Sequence, residues 1–140
     1  MYAITIAQPY AYLVAIGEKD IENRSWVPNE KYIGQRIAIH AGKGGIYQED
    51  LDYVEKRLGR SLQFGRLDET QGCIIATAIL DSVVVATTST WYEGRKMDGK
   101  NNYGLVLKAV RRCEPIPCTG ALSLWRVPAS VLRRLPAECK

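Results

Sequence analysis

Apolar residues along this chain recur mostly in short runs that favour β-strands rather than long helices. These runs are rich in Ile, Val, Thr and Ala, the composition of half-buried or buried strands. They cover residues 4–6, 36–41, 72–86, 102–113 and 121–127. The run 72–86 is long enough for one long strand or two short ones. About five strands with short connections and flanking helices predict an α+β fold built around a small barrel.

Three segments carry helical signals. Pro9 suits the first position of a helix, where a missing N–H costs nothing, and Gly17 suits the left-handed residue that ends one. The apolar positions of residues 47–58 recur at helical spacing, and acidic residues lie near the start of this segment, as the helix dipole prefers. Pro128 begins a third, short helix that ends near Leu135.

A polar segment, residues 87–101, separates two of the predicted strands. It contains two aromatic residues that look exposed, Trp91 and Tyr92, and basic residues that include Arg95 and Lys96. A loop of this length in a compact domain is more often functional than idle. We therefore interpret Arg95 and Lys96 as candidate ligand contacts.

The composition bounds the class of protein. With 140 residues, 46% of them hydrophobic and 24% charged, the chain is expected to form one soluble domain over residues 1–140. The net charge of +4 permits a polyanionic partner without demanding one. No apolar run reaches the roughly 18 residues of a membrane span. Residues 1–6 lack the basic start of a signal peptide, so we expect a cytoplasmic protein with no membrane partner.

Metal and cofactor signals are weak. The four cysteines match no zinc spacing, and the chain has one histidine, His40. The glycines of residues 42–45 form neither a P-loop nor a dinucleotide fingerprint. We therefore predict no metal and no cofactor. Free thiols agree with a reducing compartment.

The densest group of candidate functional residues lies in residues 17–26, which read G-x-K-x-x-E-x-R-x-W. Its members are Gly17, Lys19, Glu22, Arg24 and Trp26. The strand that follows ends near His40, so an ammonium, a carboxylate, a guanidinium, an indole and an imidazole are candidates to meet in one region.

The pattern of Gly17, Lys19, Glu22 and Arg24 resembles the signature of the ASCH domain, a branch of the PUA-like superfamily. Residues 8–10, 102–107 and 120–127 are similar to further segments of the same family, so that the resemblance spans residues 4–128. It implies a PUA-like β-barrel, in which a curved mixed sheet of about five to six strands closes into a pseudobarrel with a cleft beside the signature. It also implies a function among readers of RNA and of modified bases.

The roles of the motif residues stay open at this stage. Lys19 and Glu22 form either a surface ion pair, contributing about 0–1 kcal/mol, or a desolvated pair in the cleft. Arg24 is either a forked donor for a phosphate or base edge, or a clamp onto Glu22 or a backbone carbonyl. Asn23 and Ser25, between the motif residues, join the candidate ligand-binding set.

Four further residues complete that set. Tyr10 and Trp26 offer rings that stack on a base, a contact that tolerates every base, although core packing is the competing interpretation for both. His40 and Lys43 border the glycine-rich turn, where a backbone can approach a ligand closely.

Three functions are consistent with these residues. The first is a binding module for single-stranded RNA or a modified nucleoside, acting by stacking and phosphate contacts. The second is a small hydrolase in which Lys19 and Glu22 are catalytic. The third is a protein-interaction domain, which would need an exposed apolar stripe.

The hydrolase alternative also follows from the resemblance. Some bacterial ASCH-type proteins that this chain resembles remove the acetyl group of N4-acetylcytidine with the motif lysine, a threonine and a distant glutamate. Lys19 matches the lysine, Glu22 stands in the place of the threonine, and Asp81 and Glu69 are available acids. A weak ribonuclease activity, with Lys19 and a tyrosine stabilising charge at a phosphodiester, is a related possibility.

Overall fold

A computed structural model describes residues 1–94, 98–100 and 102–140, where the backbone forms six strands and four short α-helices. The strands are β1 (Tyr2–Ile6), β2 (Ile21–Arg24), β3 (Arg36–Ala41), β4 (Cys73–Val84), β5 (Tyr103–Pro117) and β6 (Leu124–Arg126). The helices are α1 (Tyr10–Ala15), α2 (Gln48–Leu58), α3 (Leu67–Thr70) and α4 (Ala129–Leu132). Two 3-10 turns cover Glu30–Tyr32 and Ala137–Cys139.

All six strands join one mixed sheet in the order β2-β5-β4-β3-β1-β6. The pair of β1 and β3 is parallel, and the other pairs are antiparallel. Register shifts interrupt both pairings of β4, and such bulges bend and twist a sheet. The sheet therefore curls into a half-barrel with short helices, which confirms the predicted α+β fold.

The predicted elements recur in the structure with some changes of bounds and with additional elements. The run 72–86 is one strand, β4, and β5 continues to Pro117 rather than ending at 113. The last strand and the last helix are shorter than predicted, at Leu124–Arg126 and Ala129–Leu132. Helix α3 had no clear signal in the sequence, because it is only four residues long. The motif itself contributes strand β2, which pairs antiparallel with the start of β5.

The central strands β1 and β3 are buried on both faces. Ile4 and Ile39 belong to the main cluster inside the half-barrel, against α1. Their neighbours Ala3 and Ala38 face the other way, into a second cluster that also contains Leu135. Burial on both faces explains why these strands read as nearly continuous apolar runs.

A third cluster joins α1 and α2 to the segment after β4. It contains Leu13, Val54 and Trp91, and Trp91 is only 4% exposed. The expectation that Trp91 is exposed is therefore wrong, because its ring fills the space between the two helices and its Nε1 donates to the Glu18 carbonyl at 2.8 Å. Tyr92 is half-buried. The segment after β4 is thus packed against the motif.

Candidate functional site

The end of helix α1 places Lys19 inside the protein. Gly17 has a φ of 81°, the left-handed conformation that the sequence predicts, and it reverses the chain after the helix. The backbone N–H groups of Glu18 and Lys19 both donate to the Leu13 carbonyl, at 2.9 and 3.1 Å. The reversal leads directly into β2 and leaves Lys19 only 4% exposed.

Lys19, Glu22 and Arg24 form a buried set of ion pairs, here called the charge network. The Lys19 Nζ lies 3.2 Å from Glu22 Oε1, and Arg24 Nη2 lies 3.2 Å from Glu22 Oε2. Glu22 and Arg24 are two residues apart on β2, so their side chains leave the strand on the same face. Lys19 also donates to the Ile21 carbonyl.

Burial decides between the alternatives that the sequence leaves open. The side chains of Lys19 and Glu22 are 4% and 10% exposed, so this is not a surface ion pair. Removing two charges from water costs several kcal/mol per ion, which the attraction between them offsets only in good geometry. Arg24 acts as the expected clamp, because it also donates to the Thr5 carbonyl at 2.6 Å and thereby connects β2 to β1.

A cavity of about 150 Å³ lies against the charge network, here called the motif cavity. Its walls come from α1, β2, α2 and the segment after β4. The lining residues are Tyr10, Lys19, Glu22, Asn23, Tyr53, Trp91 and Glu93. The volume is below the roughly 300–1,000 Å³ of pockets for drug-sized molecules, so the cavity suits one small group.

Two tyrosines form the aromatic side of the motif cavity. The rings of Tyr10 and Tyr53 meet edge to face with centroids 6.4 Å apart, and Lys19 Nζ lies 6.0 Å from the Tyr10 centroid. The Tyr10 hydroxyl donates to Asp50 Oδ1 at 2.8 Å. Burial, and then the Asp50 carboxylate, raise the pKa of the Tyr10 phenol, so it stays protonated.

Asn23 fastens the segment after β4 to the motif. Its Nδ2 donates to the Trp91 carbonyl at 2.8 Å, and its Oδ1 accepts from the Glu93 backbone N–H at 3.0 Å. The amide therefore has a positioning role: it holds Glu93 at the edge of the motif cavity.

Sequence reasoning missed Tyr53, Trp91 and Glu93. Tyr53 lies on a helix whose spacing was visible, but no local signal relates that helix to the motif. For Glu93 nothing in the sequence distinguishes it from other loop acids. The two acids named as available in the sequence are not among the residues that line the motif cavity: Asp81 pairs with Lys108 at 3.2 Å and Glu69 pairs with Arg66 at 2.6 Å.

His40 and Lys43 lie in a different cavity, of about 440 Å³, so the imidazole does not join the charge network. This cavity is lined by Thr5, His40, Gly42, Lys43, Thr119, Gly120, Ala121 and Leu122. The separation arises because His40 leaves β3 on the face opposite to Ile39, away from the interior of the half-barrel.

The hydrogen bonds of His40 define its tautomer. Its Nε2 lies 2.7 Å from the Cys118 carbonyl, which only accepts, so Nε2 carries the proton. Trp125 Nε1 donates to Thr5 Oγ1 at 3.0 Å, and the Thr5 hydroxyl lies 3.2 Å from His40 Nδ1, which it can serve as a donor. Burial lowers the pKa of His40, and the neutral ring fits this chain of bonds.

The remaining predicted site residues lie elsewhere. Trp26 is half-buried and packs against the main core cluster, so its ring has a structural role there. Ser25 is exposed at the end of β2. Arg95 and Lys96 lie outside the residues that the structure describes.

The described residues contain neither a group of side chains suited to a metal ion nor a helix suited to span a membrane. Across 1–94, 98–100 and 102–140, no three His, Cys, Asp or Glu side chains are grouped to hold a metal ion. Within the same ranges, every helix is too short or too polar to cross a lipid bilayer.

Comparison with solved structures identifies the same fold in bacterial proteins. An ASCH protein from Zymomonas mobilis superimposes with a TM-score of 0.58 at 13% identity, covering 94% of this chain and 90% of that one. Two mutants of that protein superimpose with TM-scores of 0.58 and 0.57, at 12% and 14% identity, over 95% of this chain and 92% and 94% of theirs. Identities this low show the fold alone.

Sequence comparison gives the family. No curated protein matches this chain. The family model for the ASCH domain matches residues 4–117, which include the motif, most of β1 and all of β2 to β5. This chain therefore belongs to the ASCH domain family.

Proposed function

We propose that this protein binds single-stranded RNA or a modified nucleotide by placing one base in the motif cavity. The proposal rests on one observation. Two aromatic residues, Tyr10 and Tyr53, line the same small cavity as a buried ammonium and a buried carboxylate, those of Lys19 and Glu22. Membership in the ASCH family, which is generally thought to bind RNA, supports the polymer as the natural ligand.

The polar groups of the motif cavity suit the edge of a base. The Lys19 ammonium has three donors, and Glu22 and Ile21 accept two of them, which leaves one for a base carbonyl. The Glu93 carboxylate offers an acceptor for an exocyclic amine. Cytosine presents a carbonyl and an exocyclic amine on one edge, on either side of N3, so we use cytidine derivatives as the first probes.

The free-energy cost of burying the charge network also supports a binding role for this region. Apolar residues of similar volume would often stabilise a fold as well as a buried ion pair does. Buried, paired ionisable groups beside a cavity are therefore more common at functional sites than in ordinary cores. In this proposal Arg24 positions Glu22, and Asn23 positions Glu93.

Several residues that were predicted to contact the ligand have roles in this proposal other than lining the motif cavity. His40 and Lys43 line the other cavity, Trp26 packs in the core and Ser25 lies outside the motif cavity. Arg95 and Lys96 follow Glu93 closely in the chain, and we propose them as phosphate contacts. The four free cysteines suit a reducing compartment, and we propose the cytoplasm.

The experiment measures fluorescence anisotropy of a labelled single-stranded RNA dodecamer that contains all four bases. Lys19→Met removes the donor in the motif cavity, and Lys43→Met is the matched control in the other cavity. We expect Lys19→Met to weaken binding about tenfold or more, the loss of about one charged hydrogen bond, while Lys43→Met changes it less than about twofold. Equal affinities of the two variants, or no RNA binding at low salt, would contradict the proposal.

A hydrolase remains the second candidate, because Glu93 places a second carboxylate in the cavity that holds Lys19. Hydrolysis of N4-acetylcytidine consumes water and releases cytidine and acetate. Glu22 stands where the resembling enzymes have a threonine, so this chain lacks the hydroxyl that those enzymes use, and the Lys19 ammonium is held in an ion pair with Glu22 at 3.2 Å. We therefore expect binding of this nucleoside with little turnover.

Cytidine release from N4-acetylcytidine, followed over time, separates the two functions. Fast turnover that Lys19→Met abolishes would place the hydrolase ahead of the binding module. In that case Glu93→Gln identifies whether the second carboxylate takes part.

A further inference from the structure

A second, larger recess lies beside the motif cavity. Its volume is about 490 Å³, and among the described residues its lining consists of Tyr53, Lys56 and Arg57 of helix α2 together with Thr90 of the segment after β4. We call it the basic recess. Tyr53 lines both spaces, so the two are neighbours.

The two spaces differ in charge. The motif cavity is lined by Lys19, Glu22 and Glu93, and because Arg24 pairs with Glu22, two cations there balance two carboxylates. Within the part of the chain that the structure describes, the basic recess is lined by two cations and no carboxylate. A phosphate is therefore attracted to the basic recess rather than to the motif cavity, whereas an uncharged base suits the motif cavity.

Contacts within helix α2 hold one of these cations in place. Arg57 Nε donates to the Tyr53 hydroxyl at 3.1 Å, and its guanidinium carbon lies 5.2 Å from the centre of the same ring. This contact orients the guanidinium and uses Nε, so that the two terminal nitrogens remain to form a fork for phosphate oxygens. Lys56 precedes Arg57 on the same turn, and the Thr90 hydroxyl adds a neutral donor.

The dipole of helix α2 opposes an anion here, but it is the weaker effect. Lys56 and Arg57 lie in the last turn, where the helix carries a partial negative charge of about one half. Two full positive charges on side chains that extend beyond the backbone outweigh that half charge.

We infer that the basic recess binds the phosphate next to the base held in the motif cavity, so that the ligand is a nucleotide or polynucleotide rather than a free nucleoside. This inference rests on the proposed function, since it takes the base in the motif cavity as given. Neither Lys56 nor Arg57 belongs to the ASCH motif, and each contributes through its place on α2.

Calorimetric titrations compare cytidine, its 5′-monophosphate, its 3′-monophosphate and inorganic phosphate. We expect one of the two nucleotides to bind about tenfold or more tightly than cytidine, because two charge-assisted contacts are added. The nucleotide that gains identifies on which side of the ribose the chain passes Tyr53. Inorganic phosphate alone is expected to bind more weakly than either nucleotide.

The test variant is the double substitution Lys56→Ala with Arg57→Ala. A charge-matched control exists at the other edge of the sheet, where Arg126 donates to the Tyr2 hydroxyl at 3.1 Å with its guanidinium carbon 5.3 Å from that ring. Lys31, which lies 5.1 Å from the centre of the Tyr32 ring, provides the accompanying lysine. Lys31→Ala with Arg126→Ala therefore removes the same charge and an equivalent stacked contact.

The test variant should lose the advantage of the nucleotide over cytidine while keeping its affinity for cytidine, and the control should keep both. With the RNA dodecamer, the slope of log affinity against log salt should become shallower by about 1.4, from two lost phosphate contacts at about 0.7 each. Cytidine and both nucleotides binding equally well, or test and control variants losing RNA affinity to the same extent, would overturn the inference.

Failure of the proposed function has a different signature. RNA binding that is insensitive to Lys19→Met but falls in the Lys56/Arg57 variant would support a phosphate site on α2 and refute base binding in the motif cavity. RNA binding that falls with Lys19→Met but not with the Lys56/Arg57 variant would support the motif cavity and overturn the role of the basic recess.

Discussion

Replacing Lys19 with methionine tests whether the charge network is retained for stability or for binding. Methionine keeps an unbranched stem but has no ammonium, so Glu22 loses its partner at 3.2 Å. Removing one partner of a buried ion pair typically costs about 3–5 kcal/mol. Because Arg24 still pairs with the other Glu22 oxygen at 3.2 Å, we expect the lower end of that range, about 3 kcal/mol.

A second substitution in the same background makes the test sharper. Glu22→Leu alone leaves the Lys19 ammonium buried without its carboxylate, and we expect it to cost about 3–5 kcal/mol. Together the two substitutions remove both buried charges, while Arg24 retains the Thr5 carbonyl and, being 24% exposed, contact with water. We therefore expect the double variant to lie within about 1 kcal/mol of the original stability.

Urea unfolding followed by tryptophan fluorescence measures these free energies, and a double-mutant cycle isolates the interaction between the two positions. A loss of about 3 kcal/mol corresponds to a fall of about 10 °C in Tm for a domain of this size. RNA binding, measured on the same preparations, should weaken by about tenfold or more in the single and double variants alike. A Lys19→Met protein within about 0.5 kcal/mol of the original would refute the buried placement. A double variant as unstable as the sum of its parts would refute the view that the network is kept for binding.

Three further predictions test the geometry around the site. In Gly120→Ala the new Cβ would lie 2.6 Å from His40 Cε1, so we expect urea unfolding to show that the free energy of unfolding falls by about 1–3 kcal/mol. The control is Gly44→Ala, whose Cβ would meet nothing within 4 Å and which should lose almost no stability. Equal losses in the two variants would count against this packing. Because burial lowers the pKa of His40, the unfolded chain binds the proton more readily, so the stability from His40 is complete above about pH 6.5 and is lost as pH falls below that value toward the lower folded pKa. The urea concentration at the unfolding midpoint should therefore decrease as the pH is lowered through that window. A His40→Gln protein whose midpoint shows the same pH dependence would contradict the assignment to this ring. Asn23→Ala removes both bonds to the segment after β4, and hydrogen exchange should show faster exchange of the Glu93 amide while the strands keep their protection; unchanged exchange at Glu93 would refute the positioning role of Asn23.

Local rules predicted the secondary structure well, because each depends on residues that are neighbours in the chain. The helix that ends at Gly17 is recognised by the one residue that tolerates a φ of 81° at little cost. Helix α2 is recognised by its spacing of apolar residues, and the strands by their β-branched content. The motif pattern identified the family from four positions that lie within eight residues of one another.

The site depended on contacts between residues far apart in the chain. Lys19 and Glu22 are close in sequence, and the sequence allows either a surface salt bridge or a buried pair. Only the packing of α1, β2 and α2 around them buries the pair. Trp91 reads as an exposed loop residue because nothing local shows the space between the two helices that its ring fills.

By itself the sequence determined most of the strands and helices, though not β2 or α3, and it determined where α1 ends and which family motif follows it. The tertiary structure alone decided which side chains share a cavity. His40 is separated from the charge network because successive residues of a strand point to opposite faces, so that one position along β3 decides between the interior of the half-barrel and the other cavity. Glu93 joins Lys19 because Asn23 binds a backbone N–H seventy residues away in the chain. Such pairings follow from sheet register and from packing between elements, which periodicity along the chain does not encode.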